Sequence, residues 1–90
     1  MPGKYEPLGD YLTRLPPEVA AVRLSLPEVA AILGTRLPAS ARSPGFWANR
    51  DGAWRVPPRV RVWRGAGWRV VHFDWAGQGV TFARRRDLPA

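Results

Sequence analysis

The chain has 90 residues, a formal net charge of +7, five tryptophans and no cysteine. A chain this short buries only about 60 to 65% of its unfolded surface, which leaves material for one domain over 1–90 and none for a second core. Without cysteine there are no disulfides and no thiolate metal sites, and no apolar run approaches the roughly 20 residues that cross a bilayer.

No signal-type apolar stretch follows Met1-Pro2-Gly3-Lys4-Tyr5, so a soluble, cytoplasmic protein is expected. The charge is uneven. In residues 1–35, Lys4, Arg14 and Arg23 meet Glu6, Asp10, Glu18 and Glu28, whereas residues 36–90 hold eleven arginines against Asp51, Asp74 and Asp87. That asymmetry predicts a basic working half, a neutral supporting half and a polyanion as partner. A GC-rich genome would also favour arginine over lysine, but coding bias does not explain why the arginines cluster.

In chain order, Leu8, Tyr11, Leu12 and Leu15 have the spacing of an amphipathic helix over 7–15, with Pro7 in its first turn and Pro16-Pro17 ending it. Residues 22–26 alternate apolar and polar like a short half-buried strand, although a helical run from Pro17 is an alternative. The helix over 26–33 carries the clearest local signals. Ser25 and Glu28 have capping-box spacing, Leu26, Val29, Ile32 and Leu33 form one stripe, and Gly34 suits a left-handed stop. Leu26-Pro27-Glu28-Val29-Ala30-Ala31 echoes Leu15 to Ala21, an echo short enough to be chance.

Residues 38–49 predict a short helix broken at Ser43-Pro44-Gly45, followed by a loop with a turn at Asp51-Gly52. Residues 58–66 fit either period: Arg59 to Trp63 alternates, yet Val60 and Trp63 lie one helical turn apart and Pro58 suits a helix start. Helix is the favoured assignment. A hairpin over 68–75 and 80–84 turns through Ala76-Gly77-Gln78-Gly79, and 85–90 is a basic tail.

The expected fold is therefore α+β, with three to four short helices on a two- to three-stranded antiparallel sheet, in the element order of a winged helix-turn-helix. Such a domain places a helix in the major groove and a hairpin on the neighbouring backbone. Two arginine-rich segments compete for contact. Ser40, Arg42, Trp47, Asn49 and Arg50 offer guanine-edge, adenine-edge, phosphate and stacking chemistry, and Arg59, Arg61 and Arg64 offer phosphate contacts. Arg84, Arg85 and Arg86 would extend the wing. Both segments are expected to line one basic surface, with Trp47, Trp63 and Trp68 also suited to the core, and Trp54 and Trp75 to partial exposure.

DNA is favoured over RNA as partner, though exposed Trp54 or Trp75 could stack unpaired bases. A protein-interaction or dimerisation module, including a homodimer, is the alternative. His72 and Asp74 share a strand face but lack a nucleophile or a second histidine, so no catalytic residues, metal, cofactor or small-molecule substrate are expected.

The ordered motifs Lys4-Tyr5-x-Pro7-Leu8, Leu37-Pro38-x-Ser40-Ala41-Arg42, Phe46-Trp47-Ala48-Asn49 and Ala66-Gly67-Trp68-x-Val70 give the chain a further likeness. It resembles a family of small bacterial and archaeal domains of unknown function, in which Ser-Ala-Arg is followed by Trp-Trp-x-Asn and Ala-Gly-Trp. Phe46 replaces the first tryptophan of that pattern, and Pro44-Gly45 interrupts a segment that is continuously helical in the family. The resemblance implies a shared fold and no established activity.

Overall fold

The computed structural model describes residues 3–52 and 54–88. It shows an α+β protein with three α-helices and a three-stranded antiparallel sheet: α1 (Glu6–Arg14), β1 (Ala21–Ser25), α2 (Leu26–Leu33), α3 (Pro58–Gly65), β2 (Trp68–Asp74) and β3 (Gly79–Arg84). The strand order is β1-β3-β2, so β3 is central and the edges belong to β1 and β2.

Local chemistry sets the helix ends. Ser25 Oγ accepts from the Glu28 N–H at 3.1 Å while the Ser25 N–H donates to Glu28 Oε1 at 2.9 Å, a closed capping box at the start of α2. Gly34 ends that helix at φ 72°, a conformation that favours glycine. Proline opens α3 at Pro58, where a missing N–H costs nothing. At residues 38–49 the expected broken helix is instead two 3₁₀ turns, Ala39–Arg42 and Pro44–Trp47, split by extended Ser43. Pro44 cannot donate to a carbonyl one turn back, so the turns never merge. The basic tail begins with another 3₁₀ turn, Arg85–Asp87, and its last two positions, 89 and 90, lie outside the described residues.

Strand register assigns the faces. Val22 and Val70 both pair with Phe82, and Leu24 and Phe73 both pair with Val80, so these side chains share one face of the sheet. Leu24, Val80 and Phe82 are buried there, against Leu8 and Leu12 of α1, Val29 and Leu33 of α2, and Val60 and Trp63 of α3. Arg23, Thr81 and His72 occupy the opposite face. A bulge at Val71 makes this possible. Strict alternation from Trp68 and Val70 would turn His72 inward; the extra residue sends His72 out and brings Phe73 to the core side.

Trp47 lies at the centre of the aromatic core, with ring centroids 5.8 Å from Trp63, 6.4 Å from Phe82 and 4.8 Å from Phe46. Among the described residues no helix is long and apolar enough to cross a membrane.

Candidate nucleic-acid interface

Many of the arginines are tied into the protein, and three of those that keep open donors, Arg61, Arg64 and Arg85, line one groove. Arg59 lies with its guanidinium carbon 4.2 Å from the Phe46 ring centroid and donates through Nε to the Phe46 carbonyl at 2.7 Å. Burial lowers its pKa from the ordinary arginine value, and the nearby charge of Arg50 adds to that, while Tyr5 acts in the opposite sense. Arg84 donates to the carbonyls of Val19, Leu15 and Pro16 at 2.8 to 3.0 Å and lies 4.5 Å over Trp68, tying β3 to the segment after α1. Arg86 donates to the Pro17 carbonyl and pairs with Asp87 at 3.6 Å. Arg69 pairs with Asp51, and Arg23 with Asp74 at 3.4 Å.

Trp47 and Asn49 also face inward. Trp47 is 2% exposed, and its indole N–H donates to the Ala41 carbonyl at 2.7 Å, so neither ring face is presented for stacking on a base. Asn49 Oδ1 accepts from the Trp63 indole N–H at 3.1 Å and the Val70 N–H at 2.9 Å, while Nδ2 donates to the Val70 carbonyl at 2.7 Å. With its amide engaged in this way, Asn49 occupies the free edge of β2 beside the bulge and has no bidentate face left for adenine.

Ser40 and Arg42 are exposed, but they lie elsewhere. The Ser40 carbonyl accepts from the Ser43 hydroxyl at 2.9 Å. Arg42 lines a groove with Arg36, Leu26, Pro27 and Leu37. That groove shares no lining residue with the one beside α3, so the two arginine-rich segments do not form a common groove. Arg50 is exposed at φ 59°, a left-handed backbone that is uncommon outside glycine.

The remaining predicted residues converge. Arg61, Arg64 and Arg85 line a groove of about 410 Å³ with Trp54, Val56 and Gly65. One donor of each α3 arginine fixes its direction: Arg61 Nε to the Val56 carbonyl at 3.1 Å, and Arg64 Nη1 to the Asn49 carbonyl at 3.4 Å. The other guanidinium N–H groups of these two residues have no hydrogen-bond partner among the described residues. Arg85 is exposed and brought to the rim by its N–H bond to the Gly67 carbonyl at 2.9 Å. Among the described residues no carboxylate lines the groove; Glu6 and Asp10 line its neighbour, on the α1 side of Arg61.

Trp54, outside the residues picked as contacts from sequence, is 90% exposed, with the Arg55 guanidinium 5.6 Å from its ring centroid. Its signal in the sequence was the one already noted, an indole within a loop. Trp75 is likewise 70% exposed in the β2–β3 turn, where Asp74 accepts from the Gly77 N–H at 2.9 Å. That bond first, then Arg23, lowers the Asp74 pKa, and His72 beside it is exposed.

What the fold and groove define is a small α+β protein with a carboxylate-free cluster of arginines around an exposed indole. Compared with known proteins, the chain matches no family model, no curated protein and no solved structure.

Proposed function

We propose that this protein is a nucleic-acid-binding domain of winged-helix-like build, working in the cytoplasm through the groove between α3 and the Arg85 turn. The observation that carries the proposal is that groove: three guanidinium groups from two separate elements, an exposed tryptophan at the wall and no carboxylate among the lining residues. Guanidinium groups bind phosphate through paired N–H donors, and their charge releases counterions from the polymer.

The element order and the β1-β3-β2 strand order support the winged-helix comparison, with β2–β3 as the wing and Trp75 in its turn. One departure matters for how such a domain would bind. The described residues between α2 and α3, with two 3₁₀ turns and a loop, replace the tight turn of a helix-turn-helix, and Phe46, Asn49 and Val56 among them are tied to α3 through the bonds from Arg59, Arg61, Arg64 and Trp63. The contact surface is therefore shared between α3 and its flanking loop, in place of a bare recognition helix. Ala41 and Asn49, from the segments that resemble Ser-Ala-Arg and Trp-Trp-x-Asn, act inside the protein as acceptors that fix Trp47 and Trp63, so they shape the fold and are not among the proposed contacts.

The test is binding of the purified protein to random duplex DNA, single strands and structured RNA across a salt series. Binding that weakens steeply with salt is expected. Indifference to all three polymers at low salt would refute the proposal, and salt-resistant self-association would favour a dimerisation module instead.

A further inference from the structure

We infer that the groove takes an unpaired nucleotide, its base stacked on Trp54 and its flanking phosphates held by Arg61, Arg64 and Arg85, so that the preferred ligand is single-stranded. This rests on the nucleic-acid proposal and sharpens it. Three observations lead there. Trp54 is the most exposed of the large apolar side chains at 90%, and the next two are Trp75 at 70% and Val71 at 47%. An indole this exposed is not part of the core, and every base offers it a π-face. Secondly, the Arg55 guanidinium lies over one face of that ring, 5.6 Å from its centroid, which leaves the other face for a base. Thirdly, Arg61, Arg64 and Arg85 line the same groove as Trp54, so cations for the phosphates lie beside the ring that would take the base.

Duplex geometry fits the same residues poorly. Paired bases are already stacked, so a duplex offers Trp54 only edges and backbone. Arg61 and Arg64 are each anchored at one donor to a loop carbonyl, which holds their heads at the groove wall. Phosphates that thread past a stacked base would meet these anchored heads with little further loss of side-chain entropy.

The experiment measures affinity for single strands of about 12 nucleotides, one of oligothymidylate and one of oligouridylate, against a duplex of the same length. Single strands should bind more tightly than the duplex. Trp54→Ala should lower single-strand affinity by about 5- to 150-fold and duplex affinity by less, with Trp54→Phe restoring most of the single-strand loss. Because Trp54 is exposed, the substitution leaves the core intact, and a circular dichroism spectrum verifies this. Comparison of the two oligomers separates DNA from RNA. Duplex binding as tight as single-strand binding, or an indifferent Trp54→Ala, would overturn the inference while leaving nucleic-acid binding standing. No binding to any of the three would overturn both.

Discussion

Asn49 shows how much of the fold rests on single polar side chains. It joins the loop before α3 to the buried indole of Trp63 and to both backbone groups of Val70 on the edge of β2. Replacing it with alanine leaves one buried donor, Trp63 Nε1, without its acceptor and frees two backbone groups that water can reach in part. Each unpaired buried group costs about 1 to 3 kcal/mol, so Asn49→Ala should destabilise the protein by roughly 2 to 4 kcal/mol, measured by urea unfolding. Asn49→Asp keeps the acceptor but sets a carboxylate oxygen against the Val70 carbonyl in place of the donated bond, so it too should destabilise. Arg84 has an analogous role, with its guanidinium shared among three carbonyls. Residues whose chemistry looks suited to a ligand are, in both cases, occupied by the protein's own backbone.

Contact between elements turns on close approaches and capped ends. α1 passes α3 at Gly9, where an added Cβ would sit 2.9 Å from Val62 Cγ1. Alanine in a helix is favoured over glycine by about 1 kcal/mol, but overpacking against a stiff β-branched side chain costs about 1 to 3 kcal/mol. Gly9→Ala should therefore lower the melting temperature alone and raise it in a Val62→Ala background, a sign change that a double-mutant cycle reads directly. At the β2–β3 turn the Gly77 N–H, then Arg23, holds the Asp74 carboxyl below its ordinary value. A depressed carboxyl pKa contributes stability that is present above about pH 4 and is lost as pH falls through the folded value. Asp74→Asn should lower the melting temperature at neutral pH and have no effect in strong acid. Glu28, held low by the Ser25 N–H in the capping box, contributes with the same sign.

For the whole molecule, the question is which charges are free to act outward. Arg59, Arg84 and Arg86 donate to carbonyls and keep their charge, while Arg23 and Arg69 are paired with acids that the net +7 already counts, so the fold limits which guanidinium donors are free to reach a ligand and leaves the net charge as it is. Log affinity for single strands falls against log salt by about 0.7 for each phosphate neutralised. Arg85→Glu and Arg61→Gln should each flatten that slope by about 0.7, and Arg42→Glu, in the separate groove beside α2, should not. Equal effects from all three would show that diffuse charge, not the α3 groove, drives binding.

Residues near one another in the chain made much of this protein legible before folding. Ser25, Glu28 and Gly34 delimit α2, Pro58 opens α3, and the turn from Ala76 to Gly79 joins β2 to β3, because caps, prolines and turns act over a few residues. The crowding of arginine and tryptophan between 37 and 68 likewise marked the half that carries the groove. Tertiary structure alone decided which of those side chains face out. Carbonyls left open at Leu15, Phe46 and Val56 lie far off or around a bend in the chain, and only packing brings a guanidinium to each. The bulge at Val71 is of the same kind, since the residue that pins the strand beside it, Asn49, is 21 positions away from Val70. A donor's fate depends on which acceptor the fold delivers, and that is a long-range property no local pattern contains.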